Sequence, residues 1–246
     1  MKKLLALTLV LMLSLTLFAA CGEDDKLVVG ITEYKPMDYK DEKGEWTGFD
    51  AEFAQAFGKS IDKEVEFVVI EWGNKFNELN SGAIDCIWNG MTITDEVKKK
   101  TGCSIPYAKN TQVVVMKADL LDKYQDKDSM KKLTFAVEDG SAGAGVAKEL
   151  GFKTLPVKTQ AKALLEVSSG TSDACIIDLT MAQSMTGKGT SYETLGVGIS
   201  LQSEEYGIAF EKNSEMVEKI NDFIKESKEN GLLDELSEKY GVEIAK

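Results

Sequence analysis

The stretch from Asn89 through Gly90, Met91, Thr92, Ile93 and Thr94 runs into Asp95, Glu96 and Val97, then Lys98, Lys99 and Lys100. Amides, hydroxyls and three lysines are gathered at the end of an apolar run, which suggests a pocket for something anionic. A second candidate is "EDGSAGAG" (138–145). It reads either as a tight turn or as a helix start whose free amides favour an anion, and it is too loose for a nucleotide fingerprint. A third is Asp178, which closes the apolar run 174–177. Two readings stand for it, a cap on the following helix or a carboxylate in a cleft.

What is absent narrows the chemistry further. The chain has no His and no Arg, so its 29 basic residues are all Lys. Imidazole chemistry is excluded, which removes Ser-His-Asp triads, Cys-His pairs and His-ligated zinc. Bidentate guanidinium forks for carboxylate or phosphate are excluded too. The formal net charge is −12. Without a basic stripe, nucleic acid is a poor partner, because its binding rests on phosphate neutralisation. No Cys-x-x-Cys occurs, so neither a metal nor a redox motif is supported, and no cofactor is expected.

The elements that position these residues follow from periodicity. "KLVVGI" (26–31) is a strand, and "FDAEFAQAFGKSI" (49–61) has apolar residues at 49, 53, 54, 57 and 61, a helical spacing that Asp50 could cap. "EVEFVVI" (64–70) is the next strand, "WGNKFNELNSG" (72–82) a short helix, and "AIDCIWNG" (83–90) a third strand. The same rhythm returns in "TQVVVMK" (111–117), "LTFAVEDGSAGAGVAKEL" (133–150), "KTLPVKTQAKALLEVSSG" (153–170) and "SDACIIDLTMAQSM" (172–185). "YGIAFEK" (206–212) is a further strand, followed by helices at 214–230 and near 232–240. Two open α/β units with mainly parallel sheets imply two lobes facing a cleft. Ligands bind beyond the carboxyl ends of such strands, which sets "WNGMT", "EDGSAG" and "IIDLT" on the cleft walls.

The N-terminus has the order of an export signal: Lys2 and Lys3, an apolar stretch from Leu4 to Phe18, then Ala19 and Ala20 before Cys21. Its ending resembles a bacterial lipobox, although Phe18 stands where that pattern usually has Leu. The resemblance implies a signal peptide over 1–20, lipidation of Cys21 and a short tether over 21–26. An ordinary export signal with a chance Cys at the junction is the other reading. Of the remaining cysteines, Cys86 and Cys175 sit in apolar runs as small buried residues, and Cys103 makes the number odd.

Six stretches in order carry a family resemblance: "VGITEYKPMDYKDEKGEWTGFDAEFAQAF", "ELNSGAIDCIWNGMTITDEVKK", "SIPY", "SDACIIDLTMA", "SEEYGIAFEK" and "INDFIKESKENGLLDELSEKYG". The chain resembles the extracellular solute-binding proteins of polar amino acid ABC transporters. That resemblance implies a lobe over 27–114 and 206–246, a second over 115–205, and crossover strands near 113–117 and 203–207. It implies a monomer that takes a small-molecule ligand and meets a transporter permease at the outer face of the membrane.

It also implies site residues: the rings of Tyr34 and Trp72, the polar groups at Asn89, Gly90 and Thr92, Ser141 at its helix start, and Asp178 for a ligand ammonium. Trp72 could instead be core. The family's arginine for the ligand carboxylate falls at Val97, so either Lys98 or Lys75 supplies a point charge or the ligand lacks an α-carboxylate. Glu33, Asp178 and Glu205 beside two rings lean toward a cationic ligand, although Glu33 and Glu205 could be plain surface carboxylates. Two further readings are a catalytic derivative of the scaffold, a lyase of the cyclohexadienyl dehydratase kind, and a stand-alone solute sensor.

Overall fold

The computed structural model describes residues 25–246; the signal stretch and Cys21 lie outside the described residues. The first unit opens with β1 (Lys26–Ile31), a short hairpin of β2 (Tyr39–Lys40) and β3 (Trp46–Thr47), then helix α1 (Phe49–Ser60). Strand β4 (Glu64–Val69) pairs parallel with β1 along its length, and β5 (Cys86–Thr92) pairs parallel on β1's other side. Between β4 and β5 lie a 3-10 turn at Trp72–Asn74 and helix α2 (Lys75–Asn80).

Helix α1 forms because Phe49, Phe53, Ala54 and Phe57 fall on one face, and all four are buried. Phe53 meets Trp88 edge-on at 5.4 Å and stacks on Phe223 at 5.2 Å. Burying three phenylalanines is worth roughly 1.5–3 kcal/mol each, more than the propensity of a 12-residue helix supplies alone. Asp50 does not cap this helix. The cap position is Gly48, and Asp50 is turned wholly inward.

After β5 come helix α3 (Asp95–Lys100), β6 (Gly102–Cys103) and the long strand β7 (Ala108–Lys117). The second unit contains β8 (Thr134–Glu138), α4 (Ala142–Glu149), β9 (Lys153–Val157), α5 (Gln160–Ser169), β10 (Ala174–Asp178) and α6 (Leu179–Met185). Strand β8 pairs parallel with both β9 and β10, while β10 pairs antiparallel with β7. Strands β8 and β10 are near-continuous apolar runs because both faces are covered, whereas β9 at the sheet edge is exposed or half-buried throughout. Phe135 on β8 stacks on Phe152 at 4.6 Å, within a cluster that includes Val114, Met116 and Ile176.

Strand β11 (Leu195–Phe210) then returns along the molecule, and helices α7 (Met216–Glu229) and α8 (Leu232–Tyr240) pack back on the first unit. The strand order is β4-β1-β5-β11-β7-β10-β8-β9, with β6 on the side of β11. The antiparallel pair β7–β11 therefore joins two α/β lobes, its register running from Tyr206↔Ala108 to Leu195↔Lys117. Periodicity locates only the end of β11. Residues 195–205 interleave Gly, Ser, Gln and Glu with apolar residues, and the pairing shifts register on both sides of Ser200. No helix among the described residues is long and apolar enough to cross a membrane.

Candidate functional site

The carboxyl ends of β1, β5, β8 and β10 converge on a cavity of about 1320 Å³ between the lobes. Tyr34, Trp72, Asn89, Gly90, Thr92, Ser141 and Asp178 all line it, as do Val97, Lys75, Lys98 and Glu205. Glu33 does not. It is exposed and lies outside the lining. Eight carboxylate residues and three lysines face the space, so its wall carries a formal excess of five negative charges (3 − 8). Lys75 reaches across to donate to the Gly140 carbonyl at 2.8 Å, and Ser184 donates to the Lys35 carbonyl at 3.1 Å. Lys158 pairs with Glu71 over the same gap, so the lobes are closed upon each other.

The floor on the first lobe is a hydrogen-bonded stack. Tyr34 and Tyr206 share a hydroxyl–hydroxyl bond of 2.7 Å, and both are buried. Gly90 has φ 55, and a Cβ there would come within 2.7 Å of the Tyr34 ring, so only glycine lets the ring lie flat on the backbone. Asp50 accepts from Gly90 N–H at 2.6 Å and from the Tyr107 hydroxyl at 2.8 Å. Burial pushes the Asp50 carboxyl up to about 7. Asn89 turns away from the cavity: its oxygen accepts from Thr32, and its amide donates to the Thr32 carbonyl and to Asp38.

The second lobe supplies the charge. Asp178 occupies the cap position of α6 yet makes no capping bond. Its carboxylate instead accepts from Asn110 at 2.6 Å, from Gln112 at 2.5 Å and from Gln160. The same Asn110 and Gln112 amides donate to Glu204 at 2.6 and 2.8 Å. Residues 110 and 112 share one face of β7, so the strand presents two amides to two carboxylates at once. Burial raises Asp178 above the usual carboxylate range. Glu204 is pushed up to about 8 by burial and then by the Asp178 charge. Ser141 caps α4, its hydroxyl accepting from Ala144 N–H at 3.1 Å. The first amides of that helix have no partner within it.

Val97 is buried among Ile70, Trp72, Leu79, Ile84, Ile87 and Met91. Of the two lysines considered beside it, Lys98 is exposed, whereas Lys75 is buried with its ammonium 4.8 Å from the centres of both the Trp72 and the Phe76 rings. Burial lowers Lys75 to about 8. Trp72 is thus both core and cavity wall. Glu138, Glu204, Asn110, Gln112 and Gln160 escape a reading of the sequence. Glu138 had a signal: like Asp178 it closes an apolar strand, but "EDG" reads as the turn it also begins.

Two α/β lobes bridged by paired strands, with a closed polar cavity between them, define a solute-binding architecture. The chain belongs to the bacterial extracellular solute-binding proteins, family 3, matched over residues 27–243. The arginine-binding extracellular protein ArtP of Bacillus subtilis is 31% identical over 255 residues, covering 98% of each chain. An ancestral amino acid-binding protein, described as a precursor of cyclohexadienyl dehydratase, superposes with a TM-score of 0.81 at 32% identity, over 89% of this chain and 96% of that one. A Streptococcus pneumoniae amino acid ABC transporter substrate-binding protein bound to L-arginine gives 0.80 at 25% identity, over 89% and 95%. These relatives are named as binding proteins.

Proposed function

We propose that the chain captures a small solute bearing a positive group, a basic amino acid or a related amine, and delivers it to the permease of an ABC importer. The observation that carries this reading is the Asp178–Glu204 pair, a buried carboxylate and a half-buried one held by shared amides on the wall of a net-negative cavity. An ammonium between them restores to both the counter-charge that burial removes. Tyr34 and Trp72 add aromatic faces, worth roughly 0.5–2 kcal/mol for a cation lying over a ring. Where the solute has a carboxylate, the first amides of α4 and the Lys75 ammonium receive it in place of a guanidinium fork. The relatives named for arginine support the same class.

In this reading residues 27–114 with 206–246, and 115–205, are the two halves that close on the solute, and the monomer acts without turning it over. Cys21 carries the lipid that holds the protein at the outer face of the membrane. Cys21→Ala then releases the protein into the medium or leaves it unprocessed, and membrane retention with normal cleavage contradicts the anchor.

A thermal-shift screen of basic, neutral and acidic amino acids against simple amines tests the ligand class, since binding stabilises the folded state by mass action. Basic amino acids or amines raise the melting temperature most, and Asp178→Asn removes the rise. Losing one partner of a buried charged pair costs roughly 2–5 kcal/mol, or about 30-fold and upward in affinity. Tight binding of an acidic amino acid, indifferent to Asp178→Asn, overturns the reading.

A further inference from the structure

Glu138 is the one buried carboxylate on the cavity wall for which the structure gives no hydrogen bond, among the described residues. It is 3% exposed, ends β8 and faces the cavity, and its Oε1 has no partner. Lys75 is the lysine whose charge acts on it. That ammonium donates instead to the Trp72 and Gly140 carbonyls, at 3.2 and 2.8 Å, and forms no ion pair with Glu138.

Two more buried oxygens on the same wall lack partners, Gln112 Oε1 and Glu204 Oε2. With the two carboxyls ionised all three are acceptors, so the complement that suits them is rich in N–H donors. A buried acceptor left unmet is costly, and a buried carboxylate more so. Strand order sets the two acidic groups side by side, near enough for the Asp178 charge to act on Glu138. Glu138 ends β8, and Asp178 ends the adjacent β10 beside Gln112 of β7.

We propose that Glu138 is a specificity-determining residue that accepts from a second positive group of the solute, the first being held by Asp178 and Glu204. The inference rests on the cationic reading of the same cavity, and it selects within that class for molecules with two N–H-bearing charges. Burial already pushes Glu138 up to about 8. An arriving cation supplies by direct contact a counter-charge that Lys75, turned to two carbonyls, gives only at a distance.

The experiment measures affinities by calorimetry for two matched pairs of probes. One pair is L-arginine and L-citrulline, which differ in the charge of the far end. The other is 1,4-diaminobutane and 1-aminobutane, which carry no carboxylate. In the wild type the doubly cationic member of each pair binds at least tenfold tighter. Glu138→Gln brings the members within about threefold of each other. A discrimination that survives Glu138→Gln, or that is absent from the wild type, overturns the proposal. Asp178→Asn separates the two failures. If it weakens all four probes while Glu138→Gln leaves the discrimination intact, the cationic cavity stands and the role of Glu138 falls. If the wild type binds none of the four, both readings fall. A melting curve for Glu138→Gln accompanies the titrations. The isosteric amide is neutral at every pH, as burial already favours for Glu138 below about 8, so the variant melts no lower than the wild type at neutral pH, and a lower melting point is met by repeating the comparison with Glu138→Met.

Discussion

Val97 and Lys75 together explain how a cavity keeps a cation of its own without arginine. The isopropyl group joins the apolar cluster under Trp72, and a lysine from the start of α2 reaches the space beside it. A lysine gives a point charge where a guanidinium would give a planar fork, so orientation falls to the backbone and to the rings. Gly90 sets one of those rings. Its left-handed backbone costs a non-glycine residue about 1–2 kcal/mol, and an added methyl would press on Tyr34 and Tyr206. Gly90→Ala therefore lowers the melting temperature by roughly 2–8 °C for a chain of this size. It also weakens solute binding tenfold or more by lifting the Tyr34 ring. Calorimetry and a melting curve measure both, and unchanged affinity would show that the ring is no part of the site.

At the scale of elements, what periodicity can see is what was legible. The parallel strands β1, β8 and β10 are apolar runs bounded by Gly or charged residues, β4 alternates Glu with apolar residues at its start, and α1 carries its phenylalanines on one face. Asp178 could be singled out because it closes such a run. Glu204 could not, since it sits in the half of β11 where residues alternate irregularly and the pairing shifts. Asn110 and Gln112 gain their meaning only from register. They face Asp178 because β7 lies antiparallel to β10, and Glu204 because Asn110 pairs with it directly. Glu33 shows the converse. A carboxylate next to an expected ring residue looked placed for a cation, yet successive side chains past a strand end point apart, and it faces solvent while Tyr34 turns inward.

The whole molecule carries an unusual load of buried acid, and this sets its response to pH. Burial raises Asp38, Asp50, Glu138, Asp178 and Glu204 above their ordinary range, Asp50 to about 7 and both glutamates to about 8. A raised acid binds its proton more tightly folded than unfolded, so its contribution is present at low pH and is lost as pH climbs through the folded value. Lys75, lowered to about 8, starts to lose its folded-state proton only near the top of the interval from pH 5 to pH 8 and opposes the slope there. Surface carboxylates held down by lysines, such as Glu52 by Lys239 and Glu71 by Lys158, act in the opposite sense. Their contribution fades only as pH falls below the ordinary carboxylate range, outside the window. Between pH 5 and pH 8 the five raised acids outweigh the one lysine and set the direction. The ligand-free protein therefore melts higher at pH 5 than at pH 8, by at least roughly 4 °C. A Glu138→Gln, Glu204→Gln double variant flattens the difference. A melting temperature that rises across this interval would mean that the cavity carboxylates are ionised at little cost, and with that the demand for a cationic solute would lose its physical basis.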